Sequence, residues 1–138
     1  MNLSTKSKII VVHNYNHVKC AMKAAKKLQK KIIIQSPNNA GSYMGPLFFK
    51  KLLKKCESLF PGVDYMEILD CGNDTGCALE AINHNVRIIK IDCNKKSLEK
   101  IKNICKKKGL SVNNINSKKL DLNLVEDVYD ECLKWLNN

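Results

Sequence analysis

One stretch of the chain, from Glu67 to Gly109, constrains the fold more than any other. It begins with a short apolar run that ends at Asp70, and two glycines, Gly72 and Gly76, then bracket a turn that leads into a helical pattern. A strand followed by a glycine turn and a helix is an arrangement that cradles ligands. The stretch therefore predicts a binding loop at the end of a strand.

A second acidic residue in the same stretch has a spacing typical of nucleotide-binding folds. The apolar run from Val86 to Ile91 ends in Asp92, which lies 22 positions after Asp70 (92 − 70). Dinucleotide-binding folds place a ribose-binding acid about 20 residues after their glycine motif. We therefore expect Asp92 to accept hydrogen bonds from ligand hydroxyls.

Short apolar runs alternate with helical patterns along the whole chain, which predicts an α/β fold. A chain of 138 residues suits one domain, so residues 1–138 are predicted to form a single three-layer α/β domain. Because crossovers are right-handed, we expect a Rossmann-like or flavodoxin-like sheet of five parallel strands with helices on both faces and the order 2-1-3-4-5. The predicted strands are Ile9–Val12, Ile32–Ile34, Tyr65–Cys71, Val86–Ile91 and Leu110–Ile115. Asn16 and Asn94 are predicted to cap the helices after strands 1 and 4, Pro46 to lie in the first turn of a helix and Gly109 to end one.

The predicted strand order places a binding site where the order reverses, between strands 1 and 3. His13 and Asn14 end strand 1, and residues 35–46 form a loop rich in glycine, proline and asparagine beside the same edge. The predicted ligand-binding residues are His13, Asn14, Ser36, Asn38, Asp70, Gly72, Asn73, Asp74, Thr75, Gly76 and Asp92.

The segment DCGNDTG, residues 70–76, resembles the glycine-rich motif of class I S-adenosylmethionine-dependent methyltransferases, and the likeness extends over residues 67–109. The resemblance implies S-adenosylmethionine as a cofactor. Backbone at Gly72 and Gly76 would cradle its methionine end, and Asp92 would bind the ribose. The chain departs from the family where Asp74 takes the place of the usual middle glycine.

Over its whole length the chain resembles small uncharacterised bacterial α/β proteins. The segments SPNNAGSYMGPLFF, residues 36–49, and LDCGNDTG, residues 69–76, carry this resemblance. It implies the fold and no particular reaction, so whether the protein is an enzyme stays open.

The net charge of +11 has two interpretations. Of 24 basic residues 23 are lysine, many of them near predicted helix ends, where cations complement the helix dipole. The alternative is binding of RNA or a partner protein through lysine-rich helix faces such as Lys50, Lys51, Lys54 and Lys55.

The seven cysteines include no C-x-x-C pair, which is typical of reduced thiols in the cytoplasm. The sequence shows neither a secretory signal nor an apolar segment long enough to span a bilayer, so we expect a soluble cytoplasmic protein without membrane contact. Cys71, Cys77 and Cys93 follow strand ends or begin a helix, but packing is the favoured role for them.

The histidines offer two further chemistries. His13 and His17, with Cys71 or Asp70, could ligate zinc, and His13 beside Asp70 could form an acid–base pair. A locally hydrogen-bonded histidine is the more ordinary outcome, and no metal site is predicted.

Taken together, these patterns predict a domain that binds a nucleoside-like or other small polar metabolite at the carboxyl ends of its strands. The alternatives are an RNA- or protein-binding domain and a divergent methyltransferase.

Overall fold

The computed structural model describes residues 8–115 and 117–138, which form an α/β fold with a parallel sheet flanked by helices. The strands are β1 (Lys8–Val11), β2 (Ile32–Gln35), β3 (Tyr65–Asp70), β4 (Ile88–Lys90), β5 (Ser111–Val112) and β6 (Lys119–Asp121). The helices are α1 (Tyr15–Leu28), α2 (Ala40–Tyr43), α3 (Pro46–Leu59), α4 (Thr75–Asn83), α5 (Lys95–Lys108) and α6 (Val128–Asn137), with a 3₁₀ turn at Leu122–Leu124.

The strand order is β5-β4-β3-β2-β1-β6, so the predicted five-stranded sheet with order 2-1-3-4-5 is wrong. β2 lies next to β1 on one side, and a sixth strand takes the other edge of β1. Right-handed crossovers allow a new parallel strand on either side of its predecessor, so this rule alone does not select an order. The strand order now reverses between β1 and β6.

The sixth strand is absent from the prediction because its segment is short and begins with lysines. It runs parallel to β1, with Ile10 opposite Leu120 and Val11 opposite Asp121. Its residues are exposed or half-buried, as is usual for an edge strand, and a charged residue there discourages pairing with other chains.

Local sequence signals predicted the ends of α5 correctly but not the start of α1. As predicted, α5 begins after Asn94 and ends at Gly109, whose φ of 71° is in the left-handed region that favours glycine. The predicted cap of α1 was Asn16, but the cap is Asn14, whose Oδ1 accepts a hydrogen bond from the backbone N–H of His17 at 2.9 Å. Because the cap is Asn14, two residues before Asn16, His17 lies in the first turn of α1.

The described residues group into two compact units. The first holds residues 8–35, 52–66 and 117–138, and the second holds residues 36–51 and 67–115. The buried core of the first unit includes Ile9, Ile10, Val18, Ala21, Met22, Cys132 and Leu136. The buried core of the second includes Phe49, Leu69, Ala78, Ile82, Ile88, Ile89 and Ile101.

Within residues 8–115 and 117–138, no helix is long and apolar enough to cross a membrane.

Candidate functional site

Residues of the second unit occupy the positions around the glycine loop at Gly72. Gly72 has a φ of 60°, its N–H donates to Asp70 Oδ1 at 2.8 Å, and its carbonyl accepts from the N–H of Asp92 at 2.7 Å. A β-carbon built on Gly72 would overlap the side chain of Asn39. The space that a glycine leaves beside the backbone is thus occupied by Asn39, a residue that the sequence analysis did not single out.

The side chain of Ser36 is hydrogen-bonded to the backbone of Asp70. The fully buried Oγ of Ser36 accepts a hydrogen bond from the N–H of Asp70 at 2.9 Å and donates to the carbonyl of Pro37 at 3.2 Å. Asp70 is 6% exposed, and its carboxylate holds the loop at Gly72. Both residues therefore support the loop through groups that a ligand would otherwise use.

The N-terminus of α4 is capped by a carboxylate. Oδ1 of Asp74 accepts a hydrogen bond from the N–H of Cys77 at 3.0 Å. A fixed negative charge at this end of the helix opposes binding of a phosphate there. Thr75 and Gly76 form the first turn behind the cap, and Gly76 has no positive φ that would require glycine.

The remaining predicted residues of the second unit lie on its surface. Asn38, Asn73 and Asp92 are all exposed. The strand end before Asp92 is held by Asn113, whose side chain accepts from the N–H of Ile91 at 2.9 Å and donates to its carbonyl at 2.7 Å. The side chain of Asp92 is accessible to a ligand, as the prediction requires.

Gly41, in the second unit, is a glycine that the sequence analysis did not identify. A β-carbon on Gly41 would overlap Sγ of Cys77 and lie 3.3 Å from both the carbonyl of Asp70 and Cα of Cys71. The close approach of α2 to the strand end therefore requires glycine. The signal in the sequence was the small-residue pair Ala40-Gly41, inside a segment interpreted as a loop.

The first unit brings His13 to the end of β6, where the strand order reverses. Nε2 of His13 lies 2.6 Å from Oδ1 of Asp121, and the N–H of His13 donates to Nδ1 of His17 at 3.0 Å. The two imidazole rings meet edge to face with centroids 5.8 Å apart. The carboxylate that contacts His13 in this unit is thus Asp121, which sequence analysis could not find without β6.

The hydrogen bonds also assign the protons on these rings. A carboxylate can only accept, so Nε2 of His13 carries the proton that it shares with Asp121. Nδ1 of His17 accepts from a backbone N–H, which leaves its own proton on Nε2. The His13 side chain is 23% exposed, so solvent and solutes can reach this ring.

Burial lowers the pKa of His17, and the nearby His13 lowers it further, while Asp121 opposes the shift. The ring is 6% exposed, and its position in the first turn of α1 adds the positive end of the helix dipole. His17 is therefore neutral at pH 7.

The lowered pKa of His17 predicts a loss of stability in acid. Between the pKa of folded His17 and the ordinary value of 6.5, the unfolded chain binds more protons than the folded protein. The free energy of unfolding should fall as pH is lowered through this interval and level off below it. Urea unfolding from pH 8 to pH 5 measures this, and His17→Gln should show a shallower fall than wild type. Parallel curves for the two proteins would contradict the prediction.

Gln35, the last residue of β2, contributes an unpaired polar group to the first unit. It is 2% exposed, and its Oε1 has no hydrogen-bond partner among the described residues. The sequence signal was a single polar residue closing the apolar run Ile32–Ile34. The predicted second strand ended at Ile34, one residue before Gln35.

Most of the cysteines serve packing. Cys56, Cys71, Cys77, Cys105 and Cys132 are buried, and burial raises the pKa of each of these thiols, to about 12 for Cys132. Protonated thiols are poor nucleophiles and poor metal ligands. In the part of the chain that the structure describes, no three His, Cys, Asp or Glu side chains are placed to hold a metal ion.

A basic groove of about 440 Å³ lies at the other end of α1, between Gln29 and the segment 61–64. It is lined by Lys26, Lys30 and Lys31. Nζ of Lys26 donates to the carbonyl of Pro61 at 2.8 Å. The groove is a different basic surface from the predicted one, which consists of Lys50, Lys51, Lys54 and Lys55.

The fold belongs to the α/β class with a parallel sheet, and comparisons with known proteins agree at that level. No protein-family profile and no curated protein matches the chain. Among solved structures, one assigned as a fructose-1,6-biphosphate aldolase from Coccidioides immitis is similar, with a TM-score of 0.63 and 16% identity. The match covers 77% of this chain and 39% of that chain. A likeness at this identity shows the fold alone.

Proposed function

We propose that this protein binds a small polar metabolite at the carboxyl ends of β1, β2 and β6. The observation that carries the proposal is the buried, unpaired Oε1 of Gln35. Leaving such a group without a partner costs about 1–3 kcal/mol, and native proteins rarely retain one without a use for it. A ligand donor would satisfy it.

The strand pairing places Gln35 on the same face of the sheet as Asp121. Both residues are register partners of Val11, and register partners in a parallel sheet direct their side chains to the same face. With two strand spacings between them, their Cα atoms are about 10 Å apart. His13 joins Asp121 on this face, and Val11, the register partner of both Gln35 and Asp121, lies between them, so a ligand that contacts both groups spans Val11.

The groups offered to the ligand are acceptors. Oε1 of Gln35 accepts, and Nδ1 of His13 accepts when the ring carries its proton on Nε2. A ligand with two or more hydroxyl or amino groups, such as a sugar, a polyol or the ribose of a nucleoside, suits this pattern. The position at a reversal of strand order is where parallel α/β sheets bind ligands.

Binding of S-adenosylmethionine at the glycine loop has less support. Asn39 fills the space beside Gly72, and the carboxylate of Asp74 caps the helix behind the loop. The exposed carboxylate of Asp92 is the feature that still favours an adenosine ligand.

A second candidate function is binding of RNA in the groove beside Lys26, Lys30 and Lys31. The clustering of three lysines around one concavity favours it. Nζ of Lys31 already lies 3.6 Å from Oδ2 of Asp64, and Lys26 is hydrogen-bonded to Pro61, so part of this charge is already engaged. The groove is therefore the weaker of the two candidates.

The variant Gln35→Met separates a binding role from a structural one. Methionine has a similar volume and no polar atom to leave unpaired, so the melting temperature without ligand should stay equal or rise. A thermal-shift screen of sugars, sugar phosphates, polyols, amino acids, nucleosides, S-adenosylmethionine and short RNA identifies ligands of the wild type. A ligand at 100 times its dissociation constant adds about 2.7 kcal/mol, and Gln35→Met should abolish that shift.

Two outcomes would contradict the proposal. One is a Gln35→Met protein that keeps the full ligand shift. The other is a screen in which only RNA stabilises the protein, with a shift that Lys30→Glu removes and Gln35→Met does not.

A further inference from the structure

We infer that His13 is a catalytic base, held in its reactive form by Asp121, and that the ligand of this site is a hydroxyl compound from which His13 takes a proton. The inference rests on the proposed function for the location of the ligand. It adds proton abstraction from a hydroxyl group to the proposed binding of a ligand.

The geometry between His13 and Asp121 is that of an oriented imidazole. A separation of 2.6 Å between Nε2 and Oδ1 is short for a hydrogen bond from nitrogen, which indicates a charge-assisted contact. Because Asp121 can only accept, the neutral ring must carry its proton on Nε2 and expose a lone pair on Nδ1. No residue in the described ranges donates to or accepts from Nδ1 of His13.

The ring of His13 has two neighbouring titratable groups. The groups that face the ring are Asp121 from β6 and His17 from α1. His17 is neutral because burial lowers its pKa, so the charged neighbour of the His13 ring is the carboxylate of Asp121. The ring of His17 is held in place because its Nδ1 accepts a hydrogen bond from the backbone N–H of His13. The backbone N–H of His17 donates to Oδ1 of Asn14.

The proton transfer balances within the site. The O–H bond of the ligand breaks and its electron pair stays on the oxygen, while an N–H bond forms at Nδ1 of His13. The imidazolium that results is stabilised by the carboxylate of Asp121, which keeps its negative charge. Oε1 of Gln35 would hold another hydroxyl of the same ligand and so orient the reacting one.

The test measures the nucleophilicity of each histidine with diethyl pyrocarbonate, which acylates an unprotonated ring nitrogen. The chain contains three histidines, and peptide mass spectrometry gives a separate rate for each. His84, which is half-exposed at the end of α4, is the internal reference. At pH 7 we expect His13 to react faster than His84 in the wild-type protein.

The informative variant is Asp121→Asn. Its amide nitrogen can donate to Nε2, which moves the ring proton of His13 to Nδ1 and removes the lone pair. In the wild type, Oδ1 of Asp121 accepts from both Nε2 of His13 and the N–H of Asn123, so an amide nitrogen facing Nε2 leaves the N–H of Asn123 without this acceptor. The acylation rate at His13 should fall about tenfold or more because the tautomer is reversed, while the rate at His84 is unaffected.

The ¹⁵N chemical shifts of the imidazole rings supply a readout that a purely structural Asp121 would not move. The wild type should show Nδ1 of His13 as the unprotonated nitrogen, and Asp121→Asn should exchange the two assignments. A His13 that reacts no faster than His84, or an unchanged tautomer in the variant, would overturn the inference. Neither measurement uses a ligand, so failure here would leave the binding proposal to be decided by Gln35→Met.

Discussion

The variant Gly41→Val should melt about 10 °C below the wild-type protein. The first atom added at this position overlaps Sγ of Cys77 and approaches the backbone of Asp70 and Cys71 to 3.3 Å. Backbone atoms cannot move aside as a flexible side chain can, and overpacking a close contact costs about 1–3 kcal/mol. A branched side chain should reach the upper end of that range, or about 10 °C for a chain of this length.

The matched control is Gly76→Val, which makes the same substitution in the same unit. The one neighbour within reach of a β-carbon at Gly76 is Oδ1 of Asp74 at 3.3 Å, and the backbone has no positive φ. We expect this variant to melt within about 3 °C of wild type, because only helix propensity and a small adjustment of the cap are involved. Thermal unfolding followed by circular dichroism measures both, and equal losses would contradict the prediction.

Replacing Lys50 by methionine should lower the free energy of unfolding by about 2–3 kcal/mol. The carboxylate of Glu67 is 1% exposed, and Nζ of Lys50 donates to its Oε2 at 3.0 Å. Removing one partner of a buried ion pair typically costs about 3–5 kcal/mol, because the other charge is left buried. Arg87, whose Nε lies 3.5 Å from Oε1, still offsets part of that cost.

The neighbouring residue provides the control. Lys51 is exposed on the same helix and has no carboxylate partner among the described residues, so Lys51→Met should change stability by less than about 0.5 kcal/mol. Urea unfolding at pH 7 compares the two variants directly. Similar losses in both would show that the effect comes from helix surface charge and that the ion pair with Glu67 has little importance.

The polar residues at the strand ends of the two units differ in how fully their own hydrogen bonds are satisfied. In the second unit, Ser36 and Asp70 bond to each other and to the loop they support. In the first unit, Gln35 keeps an unpaired oxygen. An unsatisfied buried group is a cost that a purely structural cluster would avoid, and this difference supports the proposal of a binding site in the first unit.

Local chemistry in the sequence was sufficient for much of the secondary structure. The apolar runs identified β1 to β5, although with boundaries several residues too long at β4 and β5, and Pro46, Asn94 and Gly109 marked helix ends correctly. These features depend on residues close in the chain, so they can be recognised without knowledge of the fold. The predicted turn at Gly72 also required nothing beyond a glycine after a strand.

The tertiary structure alone decided what the strand ends contact. β6 has too little apolar character to be recognised, and it becomes a strand only because the edge of β1 is available to pair with it. That pairing brings Asp121 to His13 across more than a hundred residues of chain. Likewise, Asn39 fills the space at Gly72 only after the chain has folded back. Residue types and local spacing determined the elements of this protein, whereas strand order, which depends on long-range pairing, determined which polar groups find hydrogen-bond partners.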